Sequence, residues 1–119
     1  MSTEKKIALI IEDDAAQQDI FSQAVTIAGF STEVIGNGAE ALARLKEVVP
    51  QLVVLDLHLP RVSGDEILAT IRADERLASV PVILATADPI LAESLSDTSD
   101  LVLLKPISFT QLRDLASRF

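Results

Sequence analysis

Leu52-Val53-Val54-Leu55 is apolar without a break, and Asp56-Leu57-His58-Leu59-Pro60 follows it directly. Four consecutive apolar residues, half of them β-branched, read as a short strand buried on both faces and ending at Asp56. Four similar runs flank it: Lys6 to Ile11, Thr32 to Ile35, Pro81 to Ala85 and Leu101 to Leu104. Helical spacing fills the gaps between them. Ile20, Ala24 and Ile27 predict one apolar helix face, Leu42, Leu45 and Val49 a second, and Leu112, Leu115 and Phe119 a third. Weaker patterns follow Gly64 (Ile67, Leu68, Ile71) and Asp88, where Pro89 suits a first-turn position behind an Asp cap. Gly29 reads as a helix stop, and Gly36-Asn37-Gly38 as a turn leading into a helix. The alternation is (βα)₅. It predicts an α/β fold with a doubly wound, five-stranded parallel sheet and right-handed crossovers. No internal repeat, linker or shift in composition divides the chain, so residues 1–119 are expected to form one domain.

Bulk properties narrow the function classes. A chain of 119 residues can bury a core without staples. The absence of cysteine excludes a disulfide framework and any thiolate metal site, and the cytoplasm is the expected compartment. Polar residues Met1 to Lys6 precede only a short apolar run, which predicts neither a secretory leader nor a membrane span. A formal net charge of −8 with scattered Lys and Arg predicts neither direct nucleic-acid binding nor membrane binding, and favours cations or basic partners.

Ligands of open α/β sheets bind beyond the carboxyl ends of the strands. At those ends the sequence places Glu12-Asp13-Asp14, Asp56, Thr86 and Lys105. Any one acid there is most simply a solvated helix cap, the role expected of Asp14. Together they are chemically complementary. Two like charges about 4 Å apart repel by roughly 4 kcal/mol at an effective dielectric of 20, so clustered acids call for a cation. A hard divalent ion fits, and Mg²⁺ uses few carboxylates and takes phosphate oxygens as further ligands. The expected site is therefore a metal-assisted phosphate site.

The same residues carry a resemblance. Ile10-Ile11-Glu12-Asp13-Asp14, Leu55-Asp56-Leu57-His58-Leu59-Pro60, Ser63-Gly64, Thr86-Ala87 and Lys105-Pro106, in this order, resemble the response-regulator receiver domains of two-component signalling over essentially the whole chain. The resemblance implies a flavodoxin-like strand order of 2-1-3-4-5 and a phosphoryl group accepted by Asp56 from a phosphohistidine. The implied donor is a sensor histidine kinase or a histidine phosphotransfer protein. It further implies that Glu12, Asp13, Asp56 and the backbone carbonyl of His58 hold Mg²⁺, and that Lys105 and the Thr86 hydroxyl contact phosphoryl oxygens. Small Ala87 leaves room beside the phosphorus, and Lys105-Pro106 is a cis-peptide candidate.

His58 is the single histidine. On its own a lone histidine is given no catalytic role, but by resemblance His58 and Asp88 occupy positions that tune phosphoryl lifetime, and a pair between the two would make that lifetime pH-dependent. The chain also departs from the family pattern. Receivers commonly carry an aromatic residue three before the strand-5 lysine, where this chain has Val102, too small and too stiff to swing as a ring does. Thr86 and Lys105 are nineteen positions apart, short by about one helical turn of 3.6 residues, which predicts a fourth helix ending after Leu95 with Ser96 to Asp100 as loop.

Other classes stay open at this point. A haloacid-dehalogenase-like phosphatase also uses an Asp nucleophile and Mg²⁺, but it carries a second Asp two residues on, where His58 stands. A flavodoxin-like cofactor module needs a phosphate loop after strand 1, where Glu12-Asp13-Asp14 would repel phosphate without a metal. A degenerate receiver would keep the fold and only bind proteins. The expected function is a signalling switch rather than a turnover enzyme, acting on a downstream protein or on an output domain elsewhere.

Overall fold

In the computed structural model, residues 6–97 and 99–119 are described. Five strands alternate with five helices: β1 Lys6–Ile11, α1 Ala15–Ile27, β2 Phe30–Ile35, α2 Gly38–Glu47, β3 Leu52–Asp56, α3 Gly64–Ala73, β4 Val82–Thr86, α4 Pro89–Ser94, β5 Leu101–Leu104 and α5 Phe109–Ala116. The sheet order is β2-β1-β3-β4-β5, with every pairing parallel. The expected doubly wound topology is present, and all five strands end at one rim.

Side chains alternate across the sheet, so each strand feeds two cores. Leu9, Ile11, Val53, Leu55, Val82 and Leu84 face α2 and α3, where Leu45, Ile67 and Ile71 meet them. Ala8, Ile10, Leu52, Val54, Ile83 and Ala85 face α1 and α5, where Phe21, Val25 and Leu112 close the layer. Truncating a fully buried residue such as Leu55 to Ala would cost about 2–5 kcal/mol, because the closed layers cannot collapse into the gap.

Local chemistry starts and stops the helices. Asp14, Asn37 and Ser108 accept hydrogen bonds from the amides of Gln17, Glu40 and Gln111, and Asp88 accepts from Ile90 and Leu91 ahead of a first-turn Pro89. Gly29, at φ 115°, ends α1 in a conformation that glycine adopts without a Cβ penalty. The expected end of helix 4 is observed: the helix stops at Ser94 with Leu95 as its cap. Thr98 lies outside the described residues, as do residues 1–5 of the polar N-terminus. The short connection is anchored at Asp100, which accepts from Val82 N at 2.8 Å and pairs with Arg72 at 3.2 Å.

The buried face of α1 differs from the expectation. Phe21, Ala24 and Val25 are buried, while Ile20 is 41% and Ile27 64% exposed. The face is set by contact with both the sheet and α5, and Phe21 supplies more apolar area to that contact than Ile20 would. In α2, Ala41 and Leu45 are buried, and Val49 is exposed beyond the helix end. β2 begins at Phe30, two residues before the predicted start, because Phe30 fills the α1 side of the core.

Candidate functional site

Among the described residues the buried polar side chains are Glu12, Asp56 and Thr86, at 1%, 2% and 0% exposure. All three stand at the carboxyl rim. Glu12 follows the last residue of β1, and Asp56 and Thr86 are the last residues of β3 and β4. Lys105 follows β5 and is tied to its neighbour strand by its amide donating to the Thr86 carbonyl at 2.8 Å. Parallel pairing thus places side chains from four separate segments within reach of one another.

The lysine reaches between the acids. Its Nζ lies 3.2 Å from Glu12 Oε2 and 3.3 Å from Asp56 Oδ1. Asp56 Oδ1 also accepts the His58 amide at 3.1 Å, and Glu12 Oε1 accepts the Asp14 amide at 3.2 Å. Asp56 Oδ2 takes no hydrogen bond among the described residues. Among the described residues no fully buried side-chain oxygen or nitrogen lacks a partner, so Oδ2 keeps a small exposure at the rim. Gln18 of α1 donates to the Glu12 carbonyl at 2.6 Å and fixes the start of the β1–α1 loop.

Charge is out of balance here. Carboxylate oxygens of Glu12, Asp13 and Asp56 lie within 4.8 Å of one another, with one ammonium against three acids. Burial, and then the Asp56 carboxylate, push the Glu12 carboxyl above the ordinary carboxylate range; the Asp14 amide and Lys105 pull the other way. A site that resists holding its own negative charge is suited to a hard cation with oxygen ligands, and the donor set fits Mg²⁺.

Two close approaches shape the loop after β3. A Cβ on Gly64 would meet the Asp56 carbonyl at 2.4 Å and Leu57 Cα at 2.6 Å, so only glycine lets α3 start against the end of β3. Arg61 adopts φ 68°, a left-handed conformation unusual for a residue with a Cβ. The sequence offers no strong signal for that strain, since Asn or Gly would be the usual occupant.

The remaining expected residues are distributed as follows. Ala87 and Asp88 are exposed at the start of the β4–α4 turn. Lys105-Pro106 is cis. Val102 is half-buried and packs against the core beside Leu91 and Leu95. His58 and Asp88 do not pair. The His58 ring instead bonds the Thr86 hydroxyl at 2.9 Å, and the Asp88 carboxylate is engaged in capping α4. Sequence spacing missed this contact because it joins residues across two strands, 28 positions apart.

The model of the response regulator receiver domain family matches residues 8–117. The DNA-binding response regulator MtrA of Mycobacterium tuberculosis is 36% identical over 87% of this chain, which corresponds to 41% of MtrA. The chain therefore spans about two fifths of the length of the MtrA proteins it matches. The probable methanogenesis regulatory protein FilR2 of Methanothrix harundinacea is 33% identical, over 90% of this chain and 76% of FilR2. In fold, the chain matches the chemotaxis response regulator CheY4 of Vibrio cholerae, with a TM-score of 0.87 and 20% identity over 97% of this chain and 98% of that one.

Proposed function

The chain belongs to the response-regulator receiver family of two-component signalling, and from that premise we propose that Asp56 accepts a phosphoryl group from the phosphohistidine of a sensor kinase or phosphotransfer protein. The observation that carries the proposal is the state of the Asp56 carboxylate. One oxygen is held by Lys105 and the His58 amide, and the other, at the strand rim, has no hydrogen-bond partner among the described residues. Oδ2 attacks phosphorus in line, the P–N bond to the donor histidine breaks as the P–O bond forms, and the released imidazole takes up a proton.

The phosphoryl group brings further negative charge to a rim that already has too much. Lys105 neutralises part of it, and the Thr86 hydroxyl donates to a phosphoryl oxygen. Glu12, Asp13, Asp56 and the His58 carbonyl would hold Mg²⁺, which supplies the remaining charge neutralisation. Ala87, exposed and small, leaves the approach open to the donor. Since Val102 cannot swing as a ring does, the switch acts mainly through Thr86 and the turn from Ala87 to Ile90. The protein works as a cytoplasmic switch rather than a turnover enzyme, and its output is an attached domain or a partner protein.

Intact-mass measurement after incubation with acetyl phosphate and Mg²⁺ tests the assignment. One alkali-labile phosphoryl group is expected on the wild type and none on Asp56→Asn. Equal labelling of both proteins refutes the role of Asp56, and continuous turnover of the phosphodonor without labelled protein would point to a phosphatase.

A further inference from the structure

Thr86 is wholly buried, and its hydroxyl oxygen has two neighbours: the Asp88 amide at 3.0 Å and His58 Nε2 at 2.9 Å. A hydroxyl offers one proton and two lone pairs. The Asp88 amide can only donate, so it occupies a lone pair. Among the described residues, the one acceptor at the hydroxyl for its proton is His58 Nε2. A buried donor left unmatched is costly, so the neutral imidazole is held with Nε2 bare and Nδ1 protonated. His58 also holds Asp56 Oδ1 through its backbone amide. One residue thus touches both the carboxylate and the hydroxyl.

We propose that His58 is a positioning residue that engages the Thr86 proton in the resting domain, and that the phosphoryl group takes this proton over. The inference rests on Asp56 being the phosphoacceptor. Phosphoryl oxygens carry lone pairs only, so Thr86 can bind one of them only by releasing His58. The exchange sets a threshold: the active arrangement must replace an existing hydrogen bond rather than fill an empty place. It also gives the domain a second mobile reporter, because the freed imidazole belongs to an exposed residue of the β3–α3 loop.

The chain has a single histidine, so the ring nitrogens of tag-free protein can be assigned without ambiguity. Long-range ¹H–¹⁵N correlation should show the Nδ1-protonated tautomer in the resting protein. Adding beryllofluoride with Mg²⁺ should move it toward the tautomer mixture of a solvated imidazole. Removing the competing acceptor in His58→Ala should tighten beryllofluoride binding by about fivefold, the worth of one typical net hydrogen bond. In a Thr86→Val background the same substitution should have no effect. A resting imidazole protonated at Nε2, or unchanged or weaker binding by His58→Ala, overturns the exchange while leaving Asp56 as the acceptor. A wild type that binds no beryllofluoride removes the Asp56 reading, and the exchange with it.

Discussion

Replacing Asp13 by Asn should stabilise the protein without divalent ions and weaken its response to Mg²⁺. Asp13 is exposed, and no ion pair to it occurs among the described residues, yet its carboxylate lies within 4.8 Å of those of Glu12 and Asp56. At that spacing each neighbour repels it by about 0.9 kcal/mol in a dielectric of 80, the value suited to an exposed group, and moderate salt trims this further. The substitution therefore relieves about 1–2 kcal/mol in the metal-free protein. With a urea m-value of about 2 kcal/mol per molar, the unfolding midpoint in EDTA should rise by about 0.5–1 M. Magnesium reverses the comparison. At ten times its Kd, Mg²⁺ adds about 1.4 kcal/mol to the wild type by mass action, and the variant, one carboxylate poorer, should gain much less. Urea titrations of both proteins in EDTA and in Mg²⁺ measure all four stabilities. An Asp13→Asn midpoint in EDTA equal to or below that of the wild type would refute the repulsion, and equal gains from Mg²⁺ would remove Asp13 from the metal site.

Gly64→Ala forces a Cβ into the Asp56 carbonyl, so it should cost about 1–3 kcal/mol in urea unfolding and diminish phosphoryl uptake measured by intact mass. Relieving the left-handed backbone at Arg61 with Arg61→Gly should raise the unfolding midpoint by the equivalent of about 0.5–1 kcal/mol with labelling of Asp56 unchanged; a drop in stability would show that the Arg61 side chain contributes more than its backbone costs. Acid titration of stability should show two opposite contributions. The Glu33 carboxyl is lowered by its hydrogen bond to Arg44, so its contribution is present above the unfolded carboxylate pKa and lost as pH falls through the folded value; it is kept small by exposure, and Arg44→Met should remove it. The Glu12 carboxyl is raised by burial and by Asp56, so its contribution is present below the unfolded pKa and lost as pH rises through the folded value, a loss that Glu12→Gln should abolish.

Much of this protein is determined by sequence alone, because strands, helix starts and strand-end residues are set by interactions within a few positions. The apolar run of Leu52 to Leu55 dictates a strand covered on both faces, and Asp14, Asn37 and Asp88 cap the helices that follow them, as their side chains do wherever a chain turns into a helix. Once the strands are parallel, Glu12, Asp56, Thr86 and Lys105 must share a rim, so the membership of the site is legible before any coordinates. The tertiary structure decided what depends on distances between segments. Which face of α1 is buried was settled by α5 and the sheet together, in favour of Phe21 over Ile20. The partner of His58 is Thr86, because the ends of β3 and β4 bring the ring and the hydroxyl together, while Asp88 caps α4 through Oδ1. Gly64 is required by the approach of α3 to Asp56, and Arg61 takes a left-handed backbone in the loop between β3 and α3. Such contacts join residues far apart in sequence, and no local pattern encodes the few tenths of an ångström on which they turn.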